Sequence, residues 1–373
     1  MAGQPPPWQP RYAITPAIAA KLMEIEAARA VVDHTPLPPA AEAELRRQAR
    51  LRSTHYSTRI EGNRLSLAQA EQVVEGKRRV FPGRERDARE VQHYWCALLR
   101  VEEWAARKLP LTEDLIQRLH GLIERGARAK ATPYRDGQNV IRDSLSGAIV
   151  YLPPEARDVP ALIASLVDWV HRAMRDGLPV PIIAGLAHYQ FVTIHPYYDG
   201  NGRTARLLAT FLLHRGGYSL NGFFSLEEHH HRDLAGYYRS LAVHPHHNYY
   251  EGRGDADLTP WLAHFVQSLA SVFTTAKDEA LRYASRGVPA QPDEPRQLDH
   301  RARAVVALFS AAETVTTRQI AAALGLSPRM ARVLARQWVS DGWLAVADPS
   351  NRARCYALSA KYRQLAGTLS AIT

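Results

Sequence analysis

Between residues 17 and 285 the chain is a succession of helical runs, and this constrains its fold more than any other feature. In residues 17–32, Ile18, Leu22, Ile25 and Ala28 form one apolar stripe, and "DHTPLPP" then ends the run. A second run covers 40–60 and stops at "EGN", where Gly62 is a helix terminator. Ser66 caps a third run to Gly76, residues 88–106 are amphipathic, and Thr112 caps "EDLIQRLHGLIERG". Helices are predicted again over 159–175, 182–194, 204–214 and 258–285. Capped helices with almost no alternating stretches predict a mainly α fold.

Two segments depart from the pattern. "TPYRDGQNVIRDSLSGAIVYLPPE" has turn residues at its centre and short apolar edges at Val140-Ile141 and 148–151, which predicts a β-hairpin flap. After the proline-rich "RGVPAQPDEPRQ", which reads as a linker, three short helical runs precede "LAVAD" and "RCYAL" around the turn "PSN". Three helices and a hairpin are the plan of a winged helix-turn-helix. The expected segments are a helical region over 1–110, a core over 111–250, a helix and linker over 251–297 and a winged helix over 298–373.

No apolar run is long enough to cross a membrane, and the proline-rich start lacks the apolar stretch of a secretory leader. Cys96 and Cys355 are the only cysteines, too few for a disulfide framework, so a cytoplasmic setting is expected. The net charge of +10 favours anionic partners: nucleotides, nucleic acid or acidic proteins.

The chemistry concentrates in "IHPYYDGNGRTAR", residues 194–206. Gly200 and Gly202 permit a turn whose successive N–H groups bind an anion, and the helix that follows points its N-terminal dipole at the same spot. Arg203 and Arg206, three apart, can grip phosphate oxygens. Asp199 offers a hard oxygen suited to Mg²⁺, and His195 can take a proton near neutral pH. Together they describe a site for a polyphosphate and a metal with a base beside it.

Residues 195–206 resemble the Fic signature, HxFx(D/E)GNGRxxR, with Tyr197 standing where the pattern has phenylalanine. The resemblance implies an all-helical Fic core with a β-hairpin flap, and an AMP transferase that moves AMP from ATP to a hydroxyl of a target protein, or of itself, and releases pyrophosphate. It implies His195 as general base, Asp199 as Mg²⁺ ligand, Gly200, Asn201 and Gly202 at the anion hole, with the Asn201 side chain among its lining, and Arg203 and Arg206 on the β- and γ-phosphates. Catalysis is expected from His195, Asn201 and Arg203. "HRDLAGYYRSL" resembles the family's helix near the adenine, which makes Tyr237 and Tyr238 candidates for nucleotide contact. Tyr197 is expected to pack in the core, with a hydroxyl needing a partner. The flap is expected to pair with the target's main chain, and a homodimer is expected because many relatives dimerise.

"STRIEGN" places Ser57 and Glu61 on one helix face. It resembles the family's inhibitory motif, (S/T)xxxE(G/N), with Ser57, Glu61 and Gly62 at its fixed positions. That implies a bidentate Glu61–Arg206 pair occupying the group that the γ-phosphate needs. In some relatives the same glutamate aligns a water that removes AMP, so de-AMPylation is a second expected activity.

In the C-terminal segment Arg329, Arg332 and Arg336 share a helix face suited to DNA, while Met330, Val333, Leu334 and Trp338 are expected in the core. Arg352 and Arg354 flank the wing turn. A solvated basic face used for dimerisation or docking is the other reading of this module. His229, His230 and His231 read as polar surface rather than a zinc site, as do His244, His246 and His247; Trp261 reads as core. Two further functions remain open: a DNA-binding regulator that senses nucleotide, and a transferase using another donor.

Overall fold

The computed structural model describes residues 7–78, 80–127, 130–142, 147–285, 305–310, 312–348 and 354–359. The chain divides into two compact units between Arg286 and Gly287.

The first unit is helical, as the sequence predicts. Its helices are α1 (Pro16–His34), α2 (Pro39–Ile60), α3 (Leu67–Val74), α4 (Glu85–Ala106), α5 (Glu113–Arg125), α6 (Val159–Arg175), α7 (Val180–Ile194), α8 (Asn201–Arg215), α9 (Leu226–Arg232), α10 (Leu234–Leu241) and α11 (Thr259–Ser285). Helix α7 is largely apolar and buried almost throughout, so it forms the axis of the unit, flanked by α6, α8 and α11. α1 lies along α11, and α4 joins α8 to α2 and α5. One hydrophobic cluster runs from Ile18 and Ile25 of α1 through Phe191 and Phe211 to Phe273 of α11. The N-terminal helices and the segment bearing the motif therefore share a core. Trp261 is fully buried and its indole N–H donates to Gly185 O at 2.7 Å.

The flap is a hairpin of β1 (Ile141–Arg142) and β2 (Ile149–Tyr151), paired antiparallel. Its tip, 143–146, lies outside the described residues. Leu152 continues the pairing on the other side, where its N–H donates to His247 O and its carbonyl accepts from Tyr249 N.

The motif helix begins earlier than its apolar pattern suggests. α8 starts at Asn201 rather than 204, because Gly200 takes a left-handed conformation (φ 75°) and turns the chain straight into the helix. Gly202 thus lies in the first helical turn.

In the second unit, β3 (Val315–Thr316), α12 (Thr317–Leu324), α13 (Pro328–Ser340), β4 (Leu344–Asp348) and β5 (Cys355–Leu358) form two helices and a sheet of order β3-β5-β4. The first of the three expected helical runs is described only from residue 305, with a tight turn at Ala307–Ser310, and the expected wing turn at 349–351 and Arg352 lie outside the described residues. The core holds Ile320, Ala331, Ala335, Tyr356 and the pair Trp338 and Trp343, whose rings are 5.1 Å apart. Met330 and Val333, expected inside, are 52% and 58% exposed. The inward stripe of α13 is instead Ala331, Ala335 and Trp338, spaced four and three.

Candidate active site

His195 ends α7 as a left-handed cap, φ 51° and ψ 59°, with its N–H on Phe191 O at 3.0 Å. That conformation turns its ring off the helix axis. Nδ1 lies 3.3 Å from Val192 O, and since a carbonyl only accepts, the proton sits on Nδ1 and the Nε2 lone pair is left over. Burial pushes its pKa down to about 4, so the ring is neutral at pH 7.

Asn201 ties the motif loop. Its Oδ1 accepts from Tyr197 N at 3.0 Å and its Nδ2 donates to Tyr197 O at 2.8 Å, with the residue 2% exposed. Both polar ends of the side chain thus bond inside the loop, and its backbone N–H stands at the start of α8, where the anion hole is expected. Tyr197 is buried and stacks on His120, ring centroids 3.6 Å apart. Its hydroxyl, expected to need a partner, has none among the described residues. The stacked ring is what holds it in place. His120 Nε2 in turn donates to Asp199 O at 2.9 Å.

Both motif arginines are buried and engaged. Arg206 Nε donates to Ser57 Oγ at 2.8 Å, and Nη2 donates to Ser57 O at 2.9 Å and Glu61 Oε1 at 2.8 Å. The pair with Glu61 is single rather than bidentate, because Ser57 takes the remaining edge of the guanidinium. Burial acts to lower the Arg206 pKa, and the Glu61 carboxylate with Tyr237 and Tyr94 outweighs it and leaves the group above the ordinary arginine value. Arg203 Nη2 meets Glu124 Oε1 at 3.1 Å and Asp199 Oδ1 at 3.3 Å. Asp199 Oδ2 is also 3.4 Å from Arg86, and its Oδ1 accepts from Gly200 N at 2.7 Å. Burial raises the pKa of Glu124, an effect that Arg203 opposes.

The two glycines explain how close these carboxylates stand. A Cβ on Gly200 would be 2.6 Å from Glu124 Oε1, and one on Gly202 would be 2.3 Å from Glu61 Oε1. Two carboxylates therefore lie against the first turn of α8, where backbone N–H groups lack intrahelical partners and the helix dipole favours an anion. Gly62, φ 92°, follows Glu61 and turns the chain away from α2.

A profile of the Fic/DOC family matches residues 110–213. This segment is a Fic domain. A protein adenylyltransferase Fic of Drosophila willistoni is 29% identical over 198 residues, 53% of this chain and 39% of that protein. The chain thus spans well under half the length of this relative. A Fic family protein from Desulfovibrio desulfuricans G20 superposes with a TM-score of 0.59 at 26% identity, covering 95% of this chain and 99% of that one. A Fic domain containing signaling protein from Bacteroides thetaiotaomicron gives the same TM-score at 27% identity, over 72% of this chain and 98% of its own.

Around the Fic domain the two tyrosine candidates separate. Tyr237 is buried, its hydroxyl is 3.2 Å from His188 Nε2 and its ring stacks on His230 at 4.4 Å. Tyr237 is a core residue behind Arg206, which corrects its expected place at the nucleotide. Tyr238 is 49% exposed, and Glu61 and Arg206 act on its hydroxyl electrostatically, so it borders the site. His230, expected at the surface with its neighbours, is 1% exposed, because that face of α9 packs on α10 and α11. Among the described residues no group of three or more His, Cys, Asp or Glu is arranged to hold a metal.

Glu124, His120 and Arg135 were not singled out by the sequence reading. Arg135 Nε donates to His195 O at 3.0 Å, and nothing in its local sequence marks it. Arg329, Arg332 and Arg336 are all exposed on α13. No helix among the described residues is long and apolar enough to cross a membrane.

Proposed function

We propose that this chain is a protein adenylyltransferase restrained by its own Glu61. The observation that carries the reading is the Glu61 carboxylate, on Arg206 at 2.8 Å and against Gly202, which stands in the helix-start nest suited to a terminal phosphate. Supporting it are the Fic domain and the adenylyltransferase name of the Drosophila relatives.

On this reading, ATP lays its β- and γ-phosphates on Arg203, Arg206 and the first-turn N–H groups of α8 once the acids withdraw. The hydroxyl of a serine, threonine or tyrosine on a target, or on the chain itself, gives its proton to His195 Nε2. Its oxygen bonds to the α-phosphorus as the bond to the β-phosphate bridging oxygen breaks, and pyrophosphate leaves. Asp199 is an exposed hard oxygen donor and fits Mg²⁺, which would draw its other ligands from phosphate and water and would neutralise charge on the leaving pyrophosphate. Glu61 can also align a water for the reverse task of removing AMP.

Intact mass after incubation with ATP and Mg²⁺ tests the reading in wild type, Glu61→Gly, and Glu61→Gly with His195→Ala. The expected result is a gain of one AMP in Glu61→Gly alone. A gain with UTP or CTP and not ATP assigns another donor. Bound ATP with no covalent product, on the chain or on a lysate of candidate targets, overturns transfer in favour of a nucleotide sensor.

A second reading concerns the C-terminal unit. Across 298–373 there are ten arginines and lysines against four acids, and α13 exposes Arg329, Arg332 and Arg336 beside Met330 and Val333. A basic helix face with apolar side chains between the charges suits a DNA major groove, with the unit acting as a winged helix. Duplex binding that weakens steeply with salt would support it; binding unchanged on replacing the three arginines by alanine would remove it.

A further inference from the structure

His195 is one of four non-glycine residues with positive φ among the described residues. Left-handed backbone costs a residue with a side chain about 1–2 kcal/mol, so its surroundings must over-determine it. Behind the α7 cap, the second half of that restraint is one side chain. Arg135 Nε donates to His195 O at 3.0 Å, and Arg135 N donates to Pro196 O at 2.9 Å. The carbonyl of the His195–Pro196 peptide and that of the next peptide are thus both held by Arg135, one by its side chain and one by its backbone N–H.

The other two guanidinium nitrogens reach the flap. Nη1 donates to Gly137 O at 2.9 Å and Nη2 donates to Pro154 O. Gly137 precedes β1 and Pro154 follows β2, so a single planar fork grips both roots of the hairpin and the backbone of the motif histidine. Arg135 is 4% exposed, and the titratable groups that face it are the neutral tyrosine hydroxyls of Tyr198, Tyr250 and Tyr151 rather than a carboxylate. A buried guanidinium satisfied only by neutral carbonyls is costly, and a lysine ammonium could not span three diverging acceptors. The arrangement makes sense as geometry rather than as charge pairing.

We propose that Arg135 is a positioning residue that couples the flap to His195, so that a strand of the target seated on the flap fixes the backbone of the general base. This rests on the reading of His195 as that base. Gln138 provides the contrast: its Nε2 donates to Pro153 O at 3.0 Å and Asn139 O at 3.1 Å, joining the flap roots to each other and not to His195.

The test uses the full chain in the Glu61→Gly background, with hydrogen exchange, ADP titration and the rate of AMP incorporation measured on Arg135→Lys and Gln138→Ala. Both should speed exchange at 137–142 and 147–154 about tenfold. Only Arg135→Lys should also speed 192–198, and only it should slow AMP incorporation, at least tenfold, with ADP affinity held within twofold. Arg135→Gln, which keeps one donor, stands in if the lysine variant does not fold. Exchange at 192–198 unchanged in the arginine variants, or raised equally throughout the first unit, overturns the coupling. If the Glu61→Gly parent incorporates no AMP, the functional reading fails, yet the exchange comparison still decides whether Arg135 links flap and histidine.

Discussion

Glu61 Oε1 lies where a Cβ on Gly202 would stand, 2.3 Å from that position, while it binds Arg206 Nη2 at 2.8 Å. The acid can be there only because residue 202 has no side chain. Glu61 is the flexible end of the contact, so Gly202→Ala should fold with a melting temperature within a few degrees of wild type, because the side chain swings aside. The methyl group then fills the nest. Calorimetry should show ATP affinity at least tenfold weaker in Glu61→Gly with Gly202→Ala than in Glu61→Gly alone, and unchanged affinity would mean the phosphates bind elsewhere.

Asn201 acts through the loop it closes. Asn201→Ala removes two buried hydrogen bonds to Tyr197 and leaves the Tyr197 N–H unpaired, while the Tyr197 carbonyl keeps the Asn139 Nδ2 donor at 3.2 Å. The expected loss is about 1–3 kcal/mol, the cost of one buried group left unsatisfied. Urea unfolding measures it, and a loss below about 0.5 kcal/mol would mean the loop holds without the clamp.

Arg203 is occupied much as Arg206 is. Glu124→Gln keeps the size of the side chain and removes the charge facing Arg203 at 3.1 Å. Triphosphate affinity should rise three- to tenfold in the Glu61→Gly background, read by calorimetry. A fall in affinity would show that Glu124 orients Arg203 for phosphate rather than competing with it.

Burial pushes the pKa of His188 down to about 3 and that of His120 down to about 4. Both folded values lie below the ordinary histidine value of about 6.5, so the unfolded chain takes up protons first as pH falls. Stability is therefore fully present above about pH 6.5 and drains away below it, by up to about 2 kcal/mol per histidine by pH 5. Melting temperature should drop between pH 6.5 and 5, and the drop should be smaller in His188→Gln. By the same sign, AMP incorporation should persist at pH 5.5, since His195 stays neutral down to about pH 4.

Arg329, Arg332 and Arg336 carry the DNA reading. Replacing each singly with alanine should weaken duplex binding and lower the salt slope by about one if it meets a phosphate, or relax one base preference if it meets a base edge. Fluorescence anisotropy at several salt concentrations separates the two outcomes.

Much of the first unit was legible because helices declare themselves locally. Stripe, cap and terminator lie within one run of chain, so the helices near 17–32, 88–106 and 159–175 follow from neighbours three and four residues apart. The motif was legible for the same reason: turn, acid, glycines and arginines are consecutive, and their relation depends on one helix start. Facing was less legible. Tyr237 and Tyr238 are adjacent on a helix and so point about 100° apart, and no local signal says which is buried. Met330 and Val333 look like core residues by type, yet the small alanines of α13 take the inward face.

The sequence by itself determined that a helical chain would present His195, Asp199, Gly200, Gly202, Arg203 and Arg206 around one helix N-terminus, because those residues are covalent neighbours. Apart from Glu61, which the inhibitory-motif resemblance already paired with Arg206, only the tertiary structure decided what meets them. Glu61 is 145 positions from Arg206, Glu124 is 79 from Arg203 and Arg135 is 60 from His195. Glu61 is marked by the motif that its stretch resembles, but Glu124 and Arg135 are ordinary charged residues in their own segments, and acquire their meaning when packing around α7 brings α5 and the flap root against the motif. Such charges are placed by the burial of the apolar faces of the elements that carry them, a property of the whole core that no short stretch of sequence contains.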